Sequence, residues 1–283
     1  GVSVIPAQPL TVSLYLAHLV RESRSNNQSA SAVETAVYSI RWAHNMAGLP
    51  TPTDHSTVKA VLQGARRELS RPVRPKEPLS EQSLNHLADY YNKDSASLEV
   101  VRFLFIVIIG YSGLFRISEI LAISLNDINI LGSSMSITIH KRKNDQFREG
   151  HTSFFSRSGK VTCPVSITER LISLLPSGTE FRSSPVVRRI IKSKKHERFH
   201  ERLGICYSTA LESIRKFISP FVSNGKDYGT HSLKSGGASN SGFKQLKDEL
   251  MDRHAGWKNP RSKYRYMKRS SEELSGITKA MNV

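Results

Sequence analysis

The sequence predicts a mainly α-helical protein of two domains, of which the second also contains a small antiparallel β-sheet. Apolar residues at helical spacing recur in both halves of the chain, whereas strict alternation is confined to a short central stretch. Between the halves, residues 71–78 contain three prolines and four charged side chains and cannot form a regular helix. We therefore expect domains at 1–70 and 80–283, joined by an extended linker at 71–79.

The first domain is expected to be helical from residue 9 to about residue 70. Pro9 opens a segment whose apolar residues are compatible with a helix, and residues 29–46 repeat apolar side chains at helical spacing. A third helix is expected at 58–69, which is apolar on one face and basic at Arg66 and Arg67.

The second domain is expected to begin with a helix that starts at Ser80. The longest apolar run, residues 103–115, is too short to cross a membrane and is typical of a buried core helix. We expect this core helix at 98–110 and a shorter helix at 116–123. No membrane partner is expected.

Alternation of apolar side chains at 134–140 predicts a β-strand. The polar residues 141–150 are typical of a turn, and two further short strands are expected at 151–156 and 160–165. From residue 167 onward the pattern is helical again.

The composition indicates a polyanionic partner. The chain contains 41 Lys and Arg against 24 Asp and Glu, a formal net charge of +17, which favours nucleic acid. A very basic stretch, residues 188–202, is expected to be exposed, on or near a helix. With 38% hydrophobic residues the chain can bury a core, which excludes wholesale disorder. The two cysteines, Cys163 and Cys206, lack metal-ligand spacing, so we expect a reducing compartment and no zinc site.

Three segments combine residues that suit attack on a phosphodiester. They are residues 113–120 (GLFRISEI), 229–238 (GTHSLKSGGA) and 254–266 (HAGWKNPRSKYRY). Basic side chains can hold the phosphate, proton donors can protonate the leaving oxygen, and a tyrosine can act as the nucleophile.

The order and spacing of these segments resemble the tyrosine recombinase (phage integrase) family. The resemblance covers the whole second domain, and the helical first domain is more weakly similar to the family's core-binding domain. It implies an N-terminal helical core-binding domain and an α-rich catalytic domain with a small antiparallel sheet. Residues 145–150 and 235–238 are similar to members encoded by eukaryotic mobile elements.

The resemblance implies roles for the first of these segments and for the predicted hairpin. Arg116 corresponds to the family's first catalytic arginine, and Glu119 to its companion acid. In the hairpin at 141–150, Lys143 is the candidate for the catalytic lysine and Lys141 is the alternative. Taken alone, Arg116 and Glu119 would more often form a structural ion pair at i,i+3 spacing, and the hairpin cations would be a solvated surface.

The other two segments supply the remaining candidate catalytic residues. His231 begins a motif that resembles the family's His-x-x-Arg, and Trp257 stands where most members have histidine and some have tryptophan. Tyr266 lies nine residues after Trp257, which is the family's spacing for the nucleophile. Tyr264 is the alternative, although two residues on one helix point to opposite sides, so only one tyrosine can face the site.

Lys234 departs from the resemblance, because the family has arginine at this position. Arginine grips two phosphate oxygens with a planar fork, whereas lysine offers one compact charge. This departure keeps open the alternative of a catalytically weak or inactive domesticated DNA-binding protein. A second alternative is a nicking enzyme similar to type IB topoisomerases, which shares the chemistry without synapsis. If Lys234 lies outside the site, Arg253 is the next candidate donor.

The resemblance implies that the protein cleaves and rejoins DNA at specific sites through a 3′-phosphotyrosyl intermediate, in integration or excision of a mobile element. Arg116 and Lys234 would stabilise the transition state, and Lys143 would protonate the 5′-hydroxyl leaving group. Neither a cofactor nor a catalytic metal is expected.

The expected partner is double-stranded DNA, bound by a homotetramer. Residues 272–281 could form a helix that is exchanged between protomers, and the expected location is the nucleus, or the nucleoid in a prokaryote. The cations expected to contact the DNA backbone near the linker are Arg66, Arg67, Arg71, Arg74 and Lys76.

Overall fold

The computed structural model describes residues 4–71, 75–143, 145–193, 196–259, 263–264 and 266–267. The chain divides into two compact units, residues 1–74 and 75–283. Helices predominate and the strands pair antiparallel, which confirms the predicted fold class. The end of the predicted linker belongs to the second unit, because the Leu79 side chain is fully buried and its backbone N–H donates to Ser232 O at 3.0 Å.

The described part of the first unit is helical, as the sequence predicts. It contains α1 (Pro9–Ser25), α2 (Ser31–Met46) and α3 (Ser56–Glu68). Proline at the start of α1 lacks the N–H that a first helical turn leaves unpaired, so it is compatible with that position. The helices bury one small apolar core, formed by Val12, Leu16, Val33, Val37, Val58, Ala65 and Leu69.

The second unit is built around one buried helix. Its described helices are α4 (Glu81–Tyr91), α5 (Leu98–Ser112), α6 (Ile117–Ala122), α7 (Pro164–Ser173), α8 (Tyr207–Ile218), α9 (Thr230–Ser239), α10 (Ser241–Lys244) and α11 (Asp248–Ala255). Every residue of α5 from 101 to 111 is buried, and Ser97 caps its first turn by accepting from Val100 N. Among the described residues, no helix is both long and apolar enough to cross a bilayer.

Helix α9 lies very close to the end of α5. A Cβ atom at Gly237 would collide with the backbone oxygen of Tyr111 and with the Leu114 side chain. Only glycine allows this approach, because any other residue would push the two helices apart. The close contact places Lys234, one turn earlier on α9, in the interior of the unit.

The central sheet has the order β1 (Ile128–Leu131), β2 (Ser134–Ile139) and β3 (His151–Ser156). Both pairings are antiparallel, and β2 buries Met135, Ile137 and Ile139, as the alternation predicts. The loop from β2 to β3 carries the basic residues of the predicted hairpin.

Two predictions of secondary structure are wrong in this unit. Residues 160–165 form no strand; Cys163 is the N-cap of α7 and Pro164 its first residue, a position that proline favours. Residues 188–202 are not on a helix but form an antiparallel hairpin of β4 (Arg188–Lys192) and β5 (Glu197–Gly204). The apolar and polar alternation typical of a strand is not visible in this charged stretch, because the outward side chains of a hairpin can all be basic or acidic.

Arg188 is fully buried, contrary to the expectation that this basic stretch is exposed. Its guanidinium donates to the backbone oxygens of Pro185, Phe181 and Glu201. These acceptors satisfy the polar group that burial removes from water, and they tie the hairpin to the preceding loop.

Replacing Arg188 should destabilise the second unit. Arg188→Ala leaves three backbone oxygens without their donor and should lower the free energy of unfolding by about 2–4 kcal/mol. The neighbouring Arg189 is exposed, so Arg189→Ala should change it by less than about 0.5 kcal/mol. Urea unfolding measures both variants, and equal effects would contradict the role assigned to Arg188.

Candidate active site

Residues from several elements of the second unit line one cavity of about 650 Å³. Five of the candidate residues from the sequence analysis line this cavity, namely Arg116, Lys234, Arg253, Trp257 and Tyr266. The loop between β2 and β3 adds Arg142 and Asp145, and β3 adds His151. The cavity is therefore rich in cationic side chains and contains one tyrosine.

Arg116 stands at the start of α6 and is fixed there by Glu119. The Glu119 carboxylate accepts from the Arg116 backbone N–H at 2.7 Å and from its Nη1 at 2.8 Å. This reciprocal cap is the structural ion pair that the i,i+3 spacing predicts. About a fifth of the Arg116 side chain is exposed, and it lines the cavity, so the ion pair also aims the guanidinium at the site.

Glu119, the partner of Arg116, is only 2% exposed. Burial alone would raise the pKa of its carboxyl group. The charge of Arg142, the Arg116 backbone N–H and the charges of Lys234 and Arg116 outweigh burial and hold this pKa below its ordinary value. The carboxylate therefore stays charged and anchors the cations around it.

Lys234 is buried, with 1% of its surface exposed. Among the residues that the structure describes, its Nζ has no hydrogen-bond partner. It lies 5.0 Å from the centroid of the Tyr266 ring and 5.8 Å from that of Trp257. Burial lowers the pKa of the amine to about 7; the charge of Glu119 opposes this shift, and Arg116 and Arg142 add to it. Lys234 thus presents an unpaired amine to the cavity.

Trp257 follows the end of α11. Gly256 adopts the left-handed conformation that often ends a helix, with a φ angle of 60°. The Trp257 ring packs in a small core with Leu114 and Met251, which is the structural role that a lone tryptophan suggests. It also lines the cavity, and its Nε1 is buried without a partner among the described residues. An indole N–H of this kind can donate to a ligand in the cavity.

Tyr266 lines the cavity, whereas Tyr264 is 64% exposed and does not. The Tyr266 ring stacks on Trp257, with centroids 6.3 Å apart and an interplanar angle of 14°. Its backbone N–H donates to Lys263 O, and the buried Lys263 Nζ pairs with Asp248 on α11 at 2.7 Å. This ion pair ties the segment before Tyr266 to α11.

Two candidate catalytic residues do not line the cavity. His231 and Lys143 are exposed, and so is the alternative Lys141. Their catalytic roles stay predictions.

The candidate DNA-contacting cations near the linker are partly engaged within their own units. Arg66 pairs with Glu34 at 2.7 Å, Arg71 donates to Asn27, and Lys76 donates to Lys226 O at 2.6 Å. Arg67 is exposed. Arg74 and residues 272–281 lie outside the described residues.

Sequence reasoning missed Arg142, His151 and Lys258 as residues of the cavity. Arg142 is 9% exposed, although its hairpin appeared to be a solvated basic surface. Nothing in the local sequence marks it, because its acceptors, Glu119, Ala255 and Gly256, are far away along the chain.

The fold is similar to that of two solved DNA complexes. The XerH site-specific recombinase bound to a palindromic difH substrate, in a post-cleavage complex, matches with a TM-score of 0.61 and 14% identity, over 99% of this chain and 74% of that one. The Tn1549 transposon integrase in complex with circular intermediate DNA matches with a TM-score of 0.59 and 11% identity, over 99% and 88%.

The sequence has a curated relative as well. An integrase/recombinase xerD homolog of Selenomonas ruminantium is 29% identical over 150 residues, which are 53% of this chain and 43% of the relative. The sequence is thus similar to that of an integrase/recombinase, and the fold is similar to that of a site-specific recombinase. The chain spans less than half the length of that relative, and no family model matches it.

The buried amine of Lys234 should make the stability of this protein depend on pH. Its pKa falls from 10.5 to about 7 in the folded protein, so between these values the unfolded chain binds more protons than the folded chain. The free energy of unfolding should then rise with pH, by about 2 kcal/mol between pH 7 and pH 9. Below pH 7 both states hold the proton, and this contribution to the slope disappears.

Urea titrations across this range measure the effect, with Lys234→Met as the reference because it lacks the amine. Parallel pH profiles for the two proteins would show that Lys234 stays charged in the folded state.

Proposed function

We propose that this protein is a tyrosine recombinase, which cleaves and rejoins double-stranded DNA at specific sites through a 3′-phosphotyrosyl intermediate. The observation that carries the proposal is the meeting of Arg116, Lys234, Trp257 and Tyr266 around one cavity. These are the residues that the family resemblance assigned to the reaction, and they come from segments up to 150 residues apart in the sequence.

In the proposed reaction, the Tyr266 phenol gives its proton to water, its oxygen attacks phosphorus, and the bond from phosphorus to the 5′-oxygen breaks. Negative charge gathers on the non-bridging oxygens, where Arg116 and Lys234 would stabilise it and the Trp257 indole N–H would donate to it. Support for a lysine in this position is that the Lys234 amine has no other hydrogen-bond partner among the described residues and would be available to the phosphate.

The leaving 5′-oxygen needs a proton, which we assign to Lys143. This lysine lies on the loop between β2 and β3 and is exposed. His231 would add a second donor to the phosphate. Both would have to approach the cavity when DNA is bound.

The protein would act as a homotetramer on two DNA sites. The exchange of DNA strands would integrate or excise a mobile element. The Tn1549 transposon integrase, a structure of similar fold, is a mobile-element protein bound to circular intermediate DNA. The place of action would be wherever that DNA lies, the nucleoid of a prokaryote or the nucleus of a eukaryotic host.

Covalent attachment to DNA tests the proposal. The protein is incubated, in buffer with EDTA, with nicked duplexes that carry a random central segment, and adducts are collected under denaturing conditions. The parent protein should form an adduct, because its side chains supply the positive charge that a metal would supply elsewhere. Tyr266→Phe should form none and should bind DNA with nearly unchanged affinity, since only the attacking oxygen is lost.

Tyr264→Phe is the matched control and should form the adduct at the parent rate, because this side chain points away from the cavity into solvent. An adduct that depends on Tyr264 would contradict the assignment of the nucleophile. No adduct from the parent protein would favour the inactive DNA-binding alternative, and an adduct that relaxes supercoils without joining two DNA molecules would favour a nicking enzyme.

Removal of the Lys234 amine should slow cleavage strongly. Lys234→Ala should lower the rate of adduct formation by about 10²-fold or more, as is typical when one preorganised donor to a transition state is removed. Lys160 is exposed and does not line the cavity, so Lys160→Ala should retain the parent rate. A folded Lys234→Ala protein that cleaves at the parent rate would shift the assignment to Arg253.

A further inference from the structure

Arg142 connects three acceptors that lie on different parts of the second unit. Its Nε donates to Glu119 Oε1 at 3.2 Å, its Nη2 to Ala255 O at 2.8 Å and its Nη1 to Gly256 O at 3.1 Å. The side chain is 8% exposed. The guanidinium therefore joins the acid beneath Arg116 to the end of α11, directly before Trp257.

The end of a helix leaves backbone oxygens without partners and carries a partial negative charge, so a cation there is stabilising. Strand β3 holds the same end, because His151 Nε2 and Ser153 Oγ lie 3.1 Å and 3.3 Å from His254 O. The backbone oxygens of three consecutive residues, 254–256, are thus held by side chains of the loop and of β3.

Gly256 and Arg142 fit each other closely. A Cβ atom at Gly256 would collide with Arg142 Nη1, and the φ angle of 60° already disfavours other residues there. The guanidinium can reach the helix end only because this position has no side chain.

We propose that Arg142 is a positioning residue for the cleavage reaction, which sets the place of Trp257 relative to Arg116. This role rests on the function proposed above. Three of the five N–H groups of the guanidinium donate to the protein, one from each nitrogen, which fixes the side chain in place. Arg142 acts through the residues that it holds.

The role has a consequence for the loop that carries Lys143. Arg142 is its neighbour and anchors the loop from the inside, while Lys143 faces solvent. Lys258, with Nζ at 2.6 Å from Glu149, adds an exposed contact between the loop and the segment after Trp257; exposed pairs of this kind contribute little. Movement of Lys143 toward DNA can then leave the position of Trp257 unchanged.

Fluorescence of Trp257 tests this role without DNA. The chain has two tryptophans, and the other, Trp42, is 66% exposed, so Trp42→Phe leaves Trp257 as the single reporter. Arg142→Met in this background should shift the emission to longer wavelength and raise the acrylamide quenching constant at least about two-fold, because the backbone oxygens of Ala255 and Gly256 lose their donor. Arg148→Met is the matched control, since Arg148 is exposed on the same loop, and should leave both values unchanged.

The rate of adduct formation supplies the second measurement. Arg142→Met should lower it about 10²-fold with DNA affinity nearly unchanged, because small misplacements of catalytic groups cost this much. Arg142→Lys keeps the charge but cannot span the three acceptors, and it should remain slow and folded.

Parent-like Trp257 fluorescence in folded Arg142→Met would overturn the inference, and so would full recovery of rate and fluorescence in Arg142→Lys. These fluorescence results are independent of cleavage. If the parent protein forms no adduct, the proposed function fails, whereas the fluorescence still decides whether Arg142 holds Trp257.

Discussion

One buried carboxylate organises the candidate site. Glu119 is almost inaccessible to water, and it accepts hydrogen bonds from Arg116 and Arg142 while it lies near enough to Lys234 to act on its charge. Each of these cations stands on a different element, α6, the loop after β2, or α9. Without the carboxylate, the desolvation of three basic side chains in one buried region would not be compensated.

The charges around Glu119 do not balance. The described lining of the cavity contains five Lys and Arg side chains and one carboxylate, Asp145, in addition to the buried Glu119, so an anionic ligand would meet a surplus of basic groups there. A phosphodiester is such a ligand, and the net charge of +17 would draw a polyanion toward the protein over longer distances. Local and global electrostatics therefore favour the same class of partner.

The sequence predicted the parts of the structure that local patterns determine. Helix α5 is evident from its apolar run, and β2 from its alternation. Arg116, Lys234, Trp257 and Tyr266 could be selected because each lies in a segment with the order and spacing of a known family. The sequence could not reveal what distant residues do to a side chain. Arg142 and Arg188 lie among other basic residues. Arg142 is buried with its guanidinium on the backbone oxygen of Ala255, 113 residues away, and Arg188 is buried because the preceding loop folds so that the backbone oxygens of Phe181 and Pro185 accept from its guanidinium.

Lys234 stands where the resembled family has arginine, and this difference changes the charge of the site before a phosphate binds. An arginine keeps its proton at any physiological pH, whereas an amine with a pKa of about 7 is charged in only about half of the molecules at neutrality. A phosphate that enters the cavity would favour the charged form, so binding would draw a proton from solution. Lys234 would then become fully charged only when the phosphate binds. The enthalpy of binding would depend on the buffer that supplies the proton.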